Sequence, residues 1–471
     1  MIAATVLGSG IAFLDGTVVN VALPAIGRDL DAGLSSLQWT VDSYLLTLGS
    51  LLLLGGSLGD LYGRRRMFVI GLVGFTAASV LCGVAPTMET LIVARALQGV
   101  GGALLVPGSL ALLSAAFAPE DRASAVGAWS GLAGVATALG PFLGGWLVDS
   151  VSWRLVFLIN LPLAALAVVV TMRHVPESRD PEATHEPDVP GALTVTAGLG
   201  ALVFALIQWS ESGGSTGILL IGVAGVAALA MFPLVERGRG QPLVPLEIFR
   251  SSQFSGVNAT TLTVYAAFGG ALFLLSLELQ QVLEYSALAT GAALLPITLL
   301  MLALSARAAR LGQRIGPRVP MTAGPVLIAA GLALLSRLQP GDTYVAGVLP
   351  GILVLGLGLA LTVAPLTAAV MGAVEERHVG AGSGINNAVA RVGQLLSVAL
   401  LPLAAGMGGL APGDPEYRDG VSRALVMSAG LCLLGAAVAW ATVRRAAPVA
   451  AVTQPSVSHA CNDPCIRQTA A

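Results

Sequence analysis

Runs of about 20 apolar residues, each long enough to cross a hydrocarbon core of about 30 Å as a helix, fill nearly the whole chain and are broken by short polar stretches. Fourteen can be marked, at approximately 2–26, 37–58, 67–86, 90–115, 123–147, 154–172, 189–209, 216–235, 253–278, 288–307, 319–337, 343–366, 379–407 and 421–442. Helices keep their backbone hydrogen bonds internal, as a bilayer demands. The pattern predicts an all-α integral membrane protein. Beyond Arg444 the apolar run stops, and residues 443–471 are expected to be a disordered cytoplasmic tail.

The polar breaks give an orientation. In the stretch from Gly56 to Phe68, Gly59 and Gly63 are free to adopt turn angles, and three arginines, Arg64, Arg65 and Arg66, follow. Basic residues are retained on the cytoplasmic side. With this turn inside, the other inner loops collect Arg122, Arg173, Arg179, Arg237, Arg239, Arg250, Arg307, Arg310, Arg314, Arg318, Arg377, Arg444 and Arg445. The outer loops hold only Arg28, Arg154, Arg337, Arg418 and Arg423, beside acids such as Asp29, Asp149 and Glu284. An odd number of misplaced spans would scramble that asymmetry, so an even count with both termini inside is expected. The first span begins almost at residue 1, which is compatible with an upstream start, and the opening residues lack the basic start of a cleavable signal.

The polar stretches also repeat. Gly59-Asp-Leu-Tyr-Gly-Arg-Arg recurs loosely at Gly312 to Arg318, an offset of 253, and Glu120 to Gly127 recurs at Glu375 to Gly382, an offset of 255. Two matches at nearly one offset imply a duplicated six-helix unit. The expected organisation is a bundle over 1–172, linkers and two inserted helices over 173–252, a second bundle over 253–442, and the tail.

Composition narrows the class without changing it. The chain of 471 residues is 55% hydrophobic and 11% charged, with a mean hydropathy of +0.83, far from the roughly 25% charge of soluble domains. A net charge of -2 with no charged block gives no basis for nucleic-acid binding. The four cysteines form no disulfide framework. His459, Cys461 and Cys465 offer three soft ligands without a fourth, so no metal site is expected. Enzyme motifs and phosphate-binding loops do not stand out.

Against this background a few polar residues inside spans are conspicuous. Asp15 lies near the middle of span 1, where an ionised carboxylate costs about 2.5–3.5 kcal/mol on insertion scales, so it should face a cavity or a partner. It is either a proton-coupling group or a structural hydrogen-bonding one. Span 4 carries Arg95, Gln98, Gly99 and Gly102 on one face. Arg95 needs an acid or carbonyls, and Asp15 is one candidate. In span 5, Gly140, Pro141, Gly144 and Gly145 form a ridge for close helix approach with a bend at the proline, suited to packing or to a pliable outer gate. Ser383, Asn387, Arg391 and Gln394 share a face of span 13, lining a cavity or bonding a neighbouring helix. Glu278, near the outer end of span 9, is a second protonatable group, a site for a cationic substrate, or an acid reaching interfacial water.

Several of these stretches resemble a known family. The signature at Gly56 to Phe68, Arg95-x-x-Gln98-Gly99-x-Gly101, Gly140-Pro-x-x-Gly-Gly145, Leu14-Asp15-x-Thr17-Val-Val-Asn20-x-Ala-Leu-Pro24 and Trp153-Arg154-x-x-Phe157-x-Ile159-Asn160-x-Pro162 are similar to the fourteen-helix drug/proton antiporters of the major facilitator superfamily. Ala136 stands where that family usually has glycine, and Gln313 replaces the acid in the second copy of the loop. The resemblance implies the major facilitator fold, two pseudo-symmetric six-helix bundles plus two inserted helices. It implies an exporter in which Asp15, with Arg95, carries protons inward. Gly56, Asp60, Gly63, Arg64 and Arg65 would form a cytoplasmic gate, with Asp60 facing the start of span 13 near Gly380. Gly140 to Gly145 would serve the outer gate, and Asn20, Gln98, Asn387, Arg391 and Gln394 would line the cavity.

The expected function is therefore proton-coupled export of amphipathic organic compounds or drugs across the plasma membrane by a monomer, with no cofactor beyond the proton gradient. A dedicated exporter of one natural product is the alternative, and a transport-dead sensor or scaffold is a remoter one. Small organic substrates, protons and the bilayer are the expected partners.

Overall fold

The computed structural model describes residues 1–117, 119–179, 187–237, 243–375, 378–410 and 414–443. Each apolar run is a helix. They are α1 (Ile2–Asp29), α2 (Leu34–Tyr62), α3 (Arg64–Gly83), α4 (Met88–Ala116), α5 (Pro119–Ser150), α6 (Leu155–His174, jointed at Ile159) and α7 (Val189–Ser212). The remainder are α8 (Thr216–Arg237), α9 (Ser252–Gln281), α10 (Ala287–Ile315), α11 (Arg318–Leu335), α12 (Leu349–Met371), α13 (Val379–Ala404) and α14 (Pro415–Thr442). Thirteen meet the length and hydropathy of a membrane span over their described residues, and the 32-residue α5 is the fourteenth long helix. Short polar residues at the loop ends start them. Thr87 and Thr90 form a reciprocal capping box for α4, and Asp188, Ser251 and Ser286 each accept an amide of the first turn of α7, α9 and α10.

The packing repeats as the duplication requires. Within the first half α1 lies on α5, and α2 and α3 on α4; within the second, α9 lies on α13, and α10 and α11 on α12. The halves meet along two seams, α2 against α13 and α5 against α10. These seams exchange under a pseudo-two-fold axis relating the two halves. The inserted hairpin is not a spacer between the halves. Its first helix, α7, packs on both α2 and α13, while α8 packs on α7 and has only 6% of its apolar window buried, the environment of a lipid-facing helix.

One sequence expectation changes here. The turn over Gly56 to Phe68 shrinks to a single residue: α2 runs through Tyr62 and α3 starts at Arg64, with Gly63 between them at φ +109°. Gly59 is helical and takes no part in the reversal. Asp60 in the last turn of α2 and Arg64 at the start of α3 form an ion pair at 2.7 Å across this turn.

The seams are closed at the end of the molecule that carries Asp149. A Cβ at Gly145 would strike the Ala287 carbonyl, and one at Gly291 the Pro141 carbonyl, so α5 and α10 touch backbone to backbone. Across the other seam Gln38 Nε2 donates to Val398 O at 2.6 Å, and between α1 and α9 Gln280 Nε2 donates to Val21 O at 2.9 Å. Contact along α2 and α13 persists as far as Leu53 and Gly384. Beyond it, toward Gly63, a Cβ added at Gly59 or at Gly380 would meet no described atom within 4 Å, although Gly59 itself is buried. Gly145→Leu and Gly291→Leu should force α5 from α10 at a cost of about 1–3 kcal/mol, read as a lowered Tm of the purified protein. Gly74→Ala, where a methyl meets nothing within 4 Å, should leave Tm essentially unchanged.

Candidate functional site

Asp15 does find a partner, and the partner is Arg95. Both are enclosed within the first half, at 0% and 1% exposure, and Arg95 Nη1 lies 2.5 Å from Asp15 Oδ2. The i, i+3 spacing on α4 aims Gln98 at the same carboxylate, where its Nε2 donates to Asp15 Oδ1 at 2.9 Å. Asn160, at the joint of α6, donates to that oxygen at 3.1 Å. The guanidinium has further acceptors in Gln98 Oε1 at 2.6 Å and the Thr40 carbonyl of α2 at 3.1 Å, and it stacks 4.2 Å over the Tyr44 ring. Ser79 of α3 completes the cluster, accepting from Gln98 and Asn160 and donating to Phe157 O. A buried pair is tolerable only when its remaining hydrogen-bonding capacity is largely met, and here neutral dipoles from α2, α4 and α6 reach both charges, while Asn160 Oδ1 is left without a partner among the described residues.

Asn160, Ser79, Thr40 and Tyr44 escaped the sequence reading as members of this centre. Asn160 stood in a quoted motif without a role, and nothing marks Ser79 among the small residues of its span. Gln98, expected to line the cavity, is instead fully buried in this cluster, drawn there as an acceptor for Arg95 and a donor to Asp15.

The expected cytoplasmic gate is assembled differently from the expectation. Asp60 is bound to Arg64, and among the described residues no hydrogen bond joins it to the start of α13 near Gly380, where an added Cβ would meet nothing within 4 Å. Gly56 packs toward Pro107. A residue not foreseen organises the turn: Glu177, after α6, accepts the amides of Arg65 at 2.9 Å and Arg66 at 3.2 Å, capping α3. Arg65 Nη1 reaches back to Val175 O, and a side chain at Gly63 would collide with the Glu177 carboxylate.

The glycine ridge of α5 serves both its neighbours. Gly140 and Gly144 admit Thr17 and Val18 of α1, while Gly145 admits α10. Pro141 cannot donate to the carbonyl one turn back, and the hydroxyl of Thr17 does so instead, 3.1 Å from Thr137 O. At the tip of α5, Asp149 accepts the amides of Ala287 at 3.2 Å and Leu288 at 2.7 Å. A carboxylate of one half thus caps a helix of the other.

Between the halves, Asn387 is exposed, and Arg391 and Gln394 are half-buried and bonded to each other at 3.2 Å. Arg391 lies 5.9 Å from the ring of Phe13, which makes an edge contact with Trp129. Asn20 is half-buried and donates to Gly16 O of its own helix. Asn386, not singled out beforehand, binds Asn258 and Thr261 of α9. Glu278 is 4% exposed, with Oε2 unpartnered, so it does not reach interfacial water. His459, Cys461 and Cys465 lie outside the described residues, as do Arg239, Arg377, Arg444 and Arg445.

Fold, duplication and a charge centre in the first half define a transporter bundle. The chain belongs to the Major Facilitator Superfamily, whose family model matches residues 5–398. It is 39% identical over 402 residues to the multidrug resistance protein Stp of Mycobacterium tuberculosis (strain CDC 1551 / Oshkosh), covering 84% of this chain and 74% of that protein. It is 34% identical over 399 residues to the tetracenomycin C resistance and export protein of Streptomyces glaucescens, again covering 84% and 74%. A bacterial homologue of the human lysosomal transporter Spinster, solved in an inward-facing, unoccupied conformation, shares the fold with a TM-score of 0.67 at 16% identity, over 94% of this chain and 96% of that one.

The charge centre predicts its own mutational pattern. Arg95→Ala leaves the enclosed Asp15 carboxylate with neutral donors but no counter-charge and should cost about 3–5 kcal/mol. The double variant Asp15→Asn with Arg95→Met removes both charges and should recover at least half of that loss, measured as Tm of the purified proteins.

Proposed function

We propose that this protein is a proton-coupled exporter of amphipathic organic compounds, a secondary transporter working as a monomer in the cytoplasmic membrane without a cofactor. The observation that carries this is the Asp15–Arg95 centre, a fully buried acid whose arginine already holds two other acceptors, Gln98 Oε1 and Thr40 O. When Asp15 takes a proton, its attraction for the guanidinium weakens, and Arg95 keeps those acceptors. Neutralisation therefore leaves no orphaned charge. The change is transmitted mechanically, because α1 is keyed to α5 through Thr17 and the glycine ridge, and α5 forms one seam with α10.

The arginine distribution supports an inner position for the Gly63 end and for both termini. The conformation is then closed toward the outside and parted toward the inside. In the opposite state Asp60 would exchange Arg64 for the α13 helix start, restoring the inner contact, while Asp149 would release α10. Arg391, Gln394, Asn387 and Asn20, with Phe13 and Trp129, would offer the substrate polar anchors on aromatic walls. The names of the relatives, a multidrug resistance protein and a protein of tetracenomycin C resistance and export, support organic substrates. The second of them also favours an alternative, export of one natural product.

Everted vesicles separate these readings. With an imposed proton gradient and a panel of lipophilic drugs, broad uptake supports the first and uptake of a single aromatic natural product the second. Asp15→Asn should lower gradient-driven uptake at least tenfold at unchanged protein level, and undiminished uptake would reject the coupling role. Asp149→Ala removes the cap at the outer end and should shift the population toward the outward-open state, seen as faster labelling of a cysteine placed at Ala287.

A further inference from the structure

A second enclosed carboxylate lies in the first half, and the mechanism above does not use it. Asp42 of α2 is 0% exposed, and neither of its oxygens has a hydrogen-bond partner among the described residues. Its direction follows from the helix around it. Gln38, one turn before, donates to Val398 O of α13, and Gly49, two turns after, has Arg391 Cβ 3.0 Å from the position of a Cβ. On the other flank Trp39 meets Phe204, Leu46 reaches to within 3.4 Å of a Cβ at Gly200, and Ser50 bonds Thr196 at 2.9 Å, all on α7. Asp42 therefore points into the junction of α2, α13 and α7. The two registers put it near Leu395 and Val203, both 0% exposed.

The charged groups around this junction do not serve it. On α13, Arg391 lies one turn beyond Leu395 toward the Gly63 end, where it packs beside Gly49 and binds Gln394. On α7 no residue between Asp188 and Glu211 is titratable. On α2 itself, Tyr44 turns away to Ala12 O, and on α4 Arg95 is committed to Asp15, Gln98 and Thr40. An ionised carboxylate enclosed in the bundle with no donor among the described residues is too costly to persist.

We propose that Asp42 is a proton-binding site separate from Asp15, which must be occupied before the α2–α13–α7 junction can close. The site rests on the alternating-access reading above. When α2 and α13 part on the outer side, the carboxylate is hydrated and takes a proton from the outer solution. Closure seals it as the neutral acid, and the same proton returns outward on reopening. No proton crosses at Asp42. It makes closure of the outer gate depend on outer pH while leaving the coupling stoichiometry to Asp15.

The test is a distance, not a rate. Spin labels on cysteines replacing Asp31 and Ala404, at the outer ends of α2 and α13, are introduced with Cys461→Ser and Cys465→Ser in the full chain, in lipid nanodiscs. In the wild type the outer-closed population should fall as pH rises. In Asp42→Asn, a neutral mimic of the protonated acid, it should persist, with the midpoint moved up by more than about one pH unit. Superimposable profiles for the two proteins, or a wild-type distance that ignores pH, would overturn the proposal. Should the Asn variant fold poorly, infrared spectra of protein carrying Asp15→Asn and Glu278→Gln decide: a protonated-carboxyl band that is present in the outer-closed state and vanishes on outer opening supports the site, and its absence rejects it. Because transport is not read, a shifted Asp42→Asn profile beside efflux indifferent to Asp15 would sink the export reading and keep this one. The reverse pair of results would do the opposite.

Discussion

The first half of the molecule is arranged around one ion pair removed from water. Bringing Arg95 and Asp15 into the bundle sacrifices the hydration of two charges, and their attraction offsets that loss only at close range with every other donor and acceptor occupied. The requirement is geometric. It places α1 and α4 side by side, holds the Thr40 carbonyl of α2 against the guanidinium, and brings Ser79 of α3 and the joint of α6 to the carboxylate side. Separating any of these helices would leave a charge or an amide unpaired in apolar surroundings. The second half has no equivalent pair among its described residues; Glu278 is buried there without a cation bonded to it. The first half thus has a charged tie between helices, on which the arrangement of a whole bundle depends.

Contact between the halves follows another rule. Lipid offers no hydrophobic drive for helices to associate, so close approach of small residues and hydrogen bonds to exposed backbone do the holding. Along α5 and α10 the glycines at 145 and 291 let carbonyl groups touch, and Asp149 caps the helix opposite. The glycine contacts are buried, while the Asp149 cap lies exposed at the rim. At the other end Asp60 and Glu177 are each engaged within the first half, leaving that end free to part.

What the sequence discloses depends on whether a residue acts through its own rarity or through a remote backbone. Spans were legible because 20 apolar residues in a row have few other uses, and the charge centre was legible because an acid and an arginine in oil need each other. Asp149, Glu177 and Asn160 were not. Two of them act by accepting amides of helices distant in sequence, and nothing local distinguishes them from solvated loop acids. Gln98 was misplaced for a related reason: helical spacing shows that it shares a face with Arg95 but not whether that face looks into the cavity or into the bundle. The one-residue turn at Gly63 was hidden because glycine at 59 is as compatible with a helix packed in a bundle as with a loop.

The inserted hairpin gives the duplication its asymmetry. Pseudo-two-fold symmetry makes the α2–α13 and α5–α10 seams equivalent, yet α7 packs across only the first. The chemistry of the seams explains the difference. Where α5 meets α10, backbone touches backbone at Gly145 and Gly291, and the acid that bridges the two helices, Asp149, sits exposed at the rim. Where α2 meets α13, Gln38 and Asp42 lie in the seam, and opening it toward hydrocarbon would present an amide and a carboxyl to lipid. By placing Leu199, Val203 and Ile207 over that seam, each no more than 3% exposed, α7 closes the lateral route. Water from the ends of the molecule is then the one medium that reaches those groups as the halves part, so a polar seam can open and close inside a bilayer.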